Sequence, residues 1–390
     1  MSSSPGQSLL LALALAGCAP TGDKRGDSSS SPADYSQPGS YGVGRRTVLA
    51  SRDDGKGGSR SVPVEVWFPA TASAAAPGSI LDLVTHPADR TVYGDLLDAA
   101  PSGCPTTAVT ADVLADPLES DGGWPLIAMS HCHDCTRFST VTIAERLASW
   151  GFVVVAPDHT GNTLFDAIAG TALGLDTTTL ALREGDLDYA IEQAVDGHLA
   201  AKLTVDPTRI GVFGHSFGAV TAGMVLQDLP ATGQPLLAGM FVGAPPENPL
   251  LSGVSMANLT EPVLFEELAE DNSVGTAGNV LIESNYAAAP GSAWLATLAD
   301  AGHYSPSDLD GITATTASGD PAVDFSAGCG DGTRQTNGQA FTYMPAADGR
   351  ALSASIATAF FAETVAGHAD GADFLTALPG MDGRVAVEQR

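Results

Sequence analysis

The stretch that most restricts how this chain can fold is DPTRIGVFGHSFGAVTAGMVLQDL, residues 206–229. IGVFG has the length of a buried strand, and FGAVTAGMVLQDL is long enough only for a helix. Joining them with no linker forces a sharp turn at His215-Ser216-Phe217, and Gly214 and Gly218 relieve the backbone contact that such a turn creates. G-x-S-x-G alone is a short pattern in a chain with 44 glycines. Between a strand and a helix, however, it predicts a nucleophile elbow, with Ser216 at the carboxyl end of a central strand and in the positive field of the helix N-terminus.

The rest of the chain has the rhythm this turn requires. RRTVLASRD and SRSVPVEVWFPA read as antiparallel strands around the turn DDGKGG. PLIAMSH is a short buried strand, TRFSTVTIAERLASW a helix ended by Gly151, and FVVVAP the next strand. The segment 177–195 follows as a helix, then the elbow, the strands LLAGMFVG and PVLFEEL, a helix over 275–289, the strand SAWLATLAD and a helix over 351–367. Alternation of this kind predicts an α/β fold, a mostly parallel sheet covered by helices on both faces. Residues 305–345 break the rhythm and are expected to form an excursion over or beside the active face.

A serine nucleophile needs a base, and the base needs an orienting acid. Two histidines follow Ser216. His303 stands directly after a strand, where a base belongs, whereas His368 follows a helix. For the acid, Asp271 lies just beyond PVLFEEL; Glu247, Glu267 and Glu270 are the alternatives. A developing oxyanion requires backbone donors, one from Phe217 and one from the loop His131-Cys132-His133-Asp134 after PLIAMS.

That loop, HCHDC, also invites a metal reading, but side chains so close in sequence rarely converge on one ion, and no matching ligand pair occurs elsewhere. The expectation is no metal and no cofactor, with His131 buttressing the loop. Asp158 and His159 precede the nucleophile and read as structural bracing. Arg183 and Asp186 read as local charge contacts on a helix.

Net charge of −28 opposes binding to nucleic acid and to anionic membrane surfaces. The apolar segment LLLALALAGCAP is too short for a mature membrane span. Leu15-Ala16-Gly17-Cys18 resembles a bacterial lipoprotein signal, although no Lys or Arg precedes the apolar run. The expected organisation is a signal peptide over 1–17, lipidation at Cys18, a flexible tether over 18–45 and a catalytic domain over 46–390. The lipid anchor would be the sole membrane contact. The resemblance implies a bacterial cell envelope location, at the outer membrane since Ala19 replaces the retaining aspartate; plain secretion is the alternative. With Cys18 set aside, Cys104, Cys132, Cys135 and Cys329 remain, an even number suited to one or two disulfides, with Cys132 to Cys135 one option.

Taken together, VPVEVWFPA, PLIAMSH, ERLASWGFVVVAPDH, LREGDLDYAI, DPTRIGVFGHSFGA, AGHYS and FFAETVAG resemble the α/β-hydrolase family that joins bacterial dienelactone hydrolases with the plasma and type II platelet-activating factor acetylhydrolases. The resemblance implies Ser216 as nucleophile, His303 as base, and Phe217 and His133 as the oxyanion donors, with Cys132 where glycine is usual. The acetylhydrolase branch takes its acid after the strand matching GMFVG, where this chain has Gly243-Ala244-Pro245-Pro246; a cutinase-like arrangement takes it one strand later, at Asp271. The expected partner is a small-molecule or lipid ester. An acyltransferase or thioesterase with the same residues, or a noncatalytic envelope protein binding lipid or protein, are the alternatives.

Overall fold

The computed structural model describes residues 33–72 and 76–390; the expected leader and Cys18 lie outside them. Nine strands form one sheet: β1 (Gly42–Asp53), β2 (Ser59–Ala70), β3 (Trp124–Ser130), β4 (Val153–Pro157), β5 (Val205–His215), β6 (Ala238–Val242), β7 (Val263–Leu268), β8 (Ala293–Leu298) and β9 (Val385–Gln389), in the spatial order β1-β2-β4-β3-β5-β6-β7-β8-β9. From β4 to β8 neighbouring strands are parallel, while β1, β2 and β9 join antiparallel at the edges.

β3, β4 and β6 are almost wholly apolar because both their faces are covered. On β3, Leu126 and Ala128 face one core layer with Val153, Val155, Ile210 and Val212. Ile127 and Met129 face the other, with Val154, Phe213 and Met240. The first layer lies under α4 (Thr177–Val195), α5 (Phe217–Asp228) and α6 (Gly275–Ala288). The second lies under α2 (Val141–Ser149), α7 (Ala346–Phe361) and α8 (Asp370–Met381), while α1 (Pro87–Ala99) and α3 (Leu164–Ile168) belong to the connections. Among the described residues no helix is long and apolar enough to cross a membrane.

One boundary differs from the sequence reading. Residues 33–45, assigned to the tether for want of apolar content, are packed, because one aromatic side chain suffices to anchor them. Tyr35 is 1% exposed, its ring 4.5 Å from that of Trp150 and 5.5 Å from that of Phe374, and its hydroxyl donates to Asp370 Oδ1 at 2.7 Å. β1 itself begins at Gly42.

Candidate active site

Ser216 sits where β5 passes into α5, with φ of 57° and ψ of −120°, a left-handed conformation unusual for a residue with a Cβ. The glycines around it are a steric necessity. A Cβ on Gly214 would lie 2.0 Å from the Gly218 carbonyl oxygen, and one on Gly218 would lie 2.0 Å from the Ser130 carbonyl oxygen. The Ser216 hydroxyl meets His303 Nε2 at 2.8 Å, and His303 Nδ1 meets Asp271 Oδ2 at 2.6 Å. Since a carboxylate only accepts, Nδ1 carries the proton, leaving Nε2 to accept from the serine.

Each partner is held from behind. Asp271 Oδ1 accepts the N–H groups of Ser273 and Val274 at 3.0 Å each, so the carboxylate both caps a turn and orients the imidazole. His215 donates from Nε2 to the His303 carbonyl at 2.8 Å; burial, then the neighbouring His303, pulls its pKa down to about 3 and keeps it neutral. The Tyr304 ring stands edge-on to His303 at 5.0 Å.

The three alternative acids are committed elsewhere. Glu270 binds Arg334 at 2.9 Å and the Gln335 N–H at 2.9 Å. Glu247 accepts the Met256 N–H at 2.6 Å. Glu267 faces Glu283 and Glu388, with burial as the main reason its pKa rises to about 7. The excursion that employs Glu270 forms two small hairpins, Thr313–Thr315 with Pro321–Asp324 and Asp331–Thr333 with Ala340–Thr342. It braces the histidine loop, the Tyr304 N–H donating to Ala327 O at 2.7 Å.

The candidate oxyanion loop begins at the end of β3. Cys132 is bonded to Cys135, which removes both as thiolate metal ligands, and Cys104 is bonded to Cys329. The Cys132 carbonyl accepts from His131 Nδ1 at 2.7 Å and from the Cys135 N–H at 3.3 Å. A peptide unit is planar and trans, so pinning this carbonyl aims the His133 N–H the opposite way. Phe217 supplies the first N–H of α5, which has no carbonyl one turn back. Among the described residues, neither N–H is engaged by a loop carbonyl. The rings of His133 and Phe217 stack at 5.9 Å.

Beneath this loop lies a polar network that the sequence reading did not resolve. His131 Nε2 accepts the His159 N–H at 3.1 Å, and His159 bridges Ser130 Oγ at 2.9 Å and Asp186 Oδ2 at 3.3 Å. Burial is the main reason that His159 falls to about 3 and His131 well below its usual range, so both rings are neutral. Asp158 pairs with Arg137 at 2.6 Å. Arg183 and Asp186 do not contact each other as the helix spacing suggested. Asp186 takes Arg52 and Arg60 at 2.8 and 2.7 Å, and fully buried Arg183 turns under the oxyanion loop. The signal was present in the sequence: Arg183 falls on the same helical face as Leu180, Leu187 and Ile191, the stripe α4 buries.

No family model and no curated protein matches the chain. Among solved structures, a ferulic acid esterase from Streptomyces cinnamoneus matches 83% of this chain and 90% of its own length, with a TM-score of 0.60 and 22% sequence identity. The fold is that of the α/β-hydrolases. In an α/β-hydrolase fold the carboxyl ends of the central strands carry the chemistry. Here Ser216 follows β5, Asp271 follows β7 and His303 follows β8. An arrangement of this kind can deprotonate a hydroxyl as it attacks an acyl carbon and then return the proton to a leaving group.

Proposed function

We propose that the protein is a serine-dependent carboxylic ester hydrolase. The observation that carries this reading is the unbroken pair of hydrogen bonds, 2.8 Å from Ser216 Oγ to His303 Nε2 and 2.6 Å from His303 Nδ1 to Asp271 Oδ2, on an elbow that holds Ser216 at a φ of 57°. His303 accepts the Ser216 proton as the serine oxygen bonds to the acyl carbon. The N–H groups of Phe217 and His133 receive the negative carbonyl oxygen. When the intermediate collapses, the proton on His303 passes to the departing alkoxide, leaving an acyl-serine. Water then gives a proton to His303 as its oxygen attacks the acyl carbon, and on collapse His303 returns that proton to the departing Ser216 oxygen, releasing the acid and restoring the serine. Asp271 orients the ring and stabilises its protonated form.

The substrates in this reading are short-chain or lipid-like acyl esters, as the resemblance to dienelactone hydrolases and acetylhydrolases implies. The structural neighbour makes a feruloyl ester a further probe. The deciding experiment is fluorophosphonate labelling of the parent protein and Ser216→Ala, alongside p-nitrophenyl esters of increasing acyl length. The reading requires labelling and turnover in the parent and neither in the variant. Folded parent protein that neither labels nor turns over any ester would overturn it. We further propose envelope anchoring through Cys18, on the strength of the leader sequence; mass spectrometry of the mature N-terminus tests it, with an unacylated Cys18 as the contrary result.

A further inference from the structure

We propose that Arg183 is the positioning residue of the oxyanion site, a buried cation that aims both backbone donors and places positive charge behind them. This inference rests on the ester-hydrolase reading and deepens it. Arg183 is 0% exposed, and its guanidinium carbon lies 4.5 Å from the centre of the Phe217 ring. Its hydrogen bonds divide between the two halves of the site. Nε donates to Thr221 Oγ1 at 3.1 Å, and that hydroxyl donates to the Phe217 carbonyl at 3.1 Å, fixing the first turn of α5. Nη2 donates to the His131 carbonyl and to Ser130 Oγ, the latter at 3.2 Å, fixing the strand end and the first peptide of the oxyanion loop. Nη1 donates to Asn162 Oδ1 at 2.5 Å, and the Asn162 amide donates to Asp134 Oδ1 at 3.0 Å; Asp134 in turn holds the His133 ring at 2.8 Å.

Every acceptor that Arg183 touches is neutral. A buried guanidinium is ordinarily matched by a carboxylate, because an unpaired charge in the interior carries a heavy desolvation cost. Asp186, one turn away, is instead taken by Arg52, Arg60 and His159. Burial lowers the Arg183 pKa to about 9, with Asp186 and Asp134 opposing that fall from a distance without bonding to the guanidinium, and the group stays charged at neutral pH. A neutral side chain could brace these loops without that cost. Positive charge is useful at this place when negative charge forms against the Phe217 and His133 N–H groups, and a charge already fixed there needs no reorganisation during the reaction.

The test compares the parent, Arg183→Met and Arg183→Lys on p-nitrophenyl acetate, with affinity for an arylboronic acid as the probe of the tetrahedral state. Arg183→Met is expected to lower kcat about 30-fold with KM held within about twofold, and to weaken boronate binding in proportion. Arg183→Lys, which keeps the charge, is expected to recover part of both losses. A folded Arg183→Met with kcat within about threefold of the parent, a change in KM alone, or a lysine variant no better than the methionine variant would each overturn the proposal. Should Arg183→Met not fold, Asn162→Ala and Thr221→Val cut the tethers and keep the charge. A kcat about tenfold lower in each supports the proposal, and one within about twofold in both overturns it. A parent that neither turns over nor labels removes the hydrolase reading itself, whereas an active parent matched by Arg183→Met removes only this inference.

Discussion

The two disulfides differ in what their removal is expected to do, and the difference follows from where they lie. Cys104–Cys329 closes a chain separation of 225 residues, while Cys132–Cys135 closes one of 3. If a cross-link acts mainly by restricting the unfolded chain, the long loop is worth about 5 kcal/mol and the short one about 2 kcal/mol. For a domain of this size, about 1.4 °C in Tm accompanies each kcal/mol, so Cys104→Ala with Cys329→Ala is expected to melt about 7 °C below the parent. Cys132→Ala with Cys135→Ala should lose only about 3 °C by the same reasoning. Activity should order the other way at 25 °C. The short bridge holds the turn whose Cys132 carbonyl sets the His133 N–H, and its loss is expected to reduce kcat about tenfold. Circular dichroism melts, thiol titration and ester kinetics on the three proteins provide the measurements. Equal melting points for the two variants, with both bonds present in the parent, would refute the chain-entropy argument. Undiminished kcat in Cys132→Ala with Cys135→Ala would refute the assigned task of the short bridge.

Other consequences are equally direct. Asp271→Asn should lower kcat by about 10³-fold or more through loss of the imidazole tautomer, whereas Glu270→Gln should leave kcat within a few-fold and instead loosen the excursion, read as faster proteolysis between residues 331 and 342. Gly218→Ala should abolish soluble folded protein, because its Cβ would meet the Ser130 carbonyl at 2.0 Å, and recovery of a native melting curve would contradict the steric account. Glu266, buried in β7 with Ser353 as its hydrogen-bond donor, has its pKa raised by burial from 4.5 to about 7. A raised carboxyl favours the folded state below the unfolded pKa and loses that contribution as pH rises through the folded one. Glu266→Gln should therefore gain stability relative to the parent at pH 8, on the order of 3 kcal/mol, with no relative gain at pH 4, as denaturant titrations at the two pH values would show.

The sheet was legible in the sequence because its parallel strands are apolar on both faces and separated by helical periods, so IGVFG, PLIAMSH and FVVVAP had few other destinations. β9 was not, since VAVEQ lies at an edge, where one face and one side need no apolar partner. Chain order alone offers Ser216 and His303 at loops after strands. It does not separate Asp271 from Glu270, which are adjacent in the same turn; side-chain direction does, one carboxylate facing the imidazole and the other Arg334. The charge of Arg183 points to a surface contact, whereas its helical phase points into the core. Its place on the buried stripe of α4 was the better guide.

The clasp at Tyr35 has a mechanical consequence. Force drawn through the residues before Ala33 would reach the globule at a ring wedged between Trp150 and Phe374 and bonded to Asp370, 335 positions further along the chain. That load would enter α2 and α8 on one flank of the sheet, and β1 could begin to peel only after the aromatic plug had been withdrawn. Tugging at the leading end would thus be absorbed away from the loops that carry Ser216 and His303.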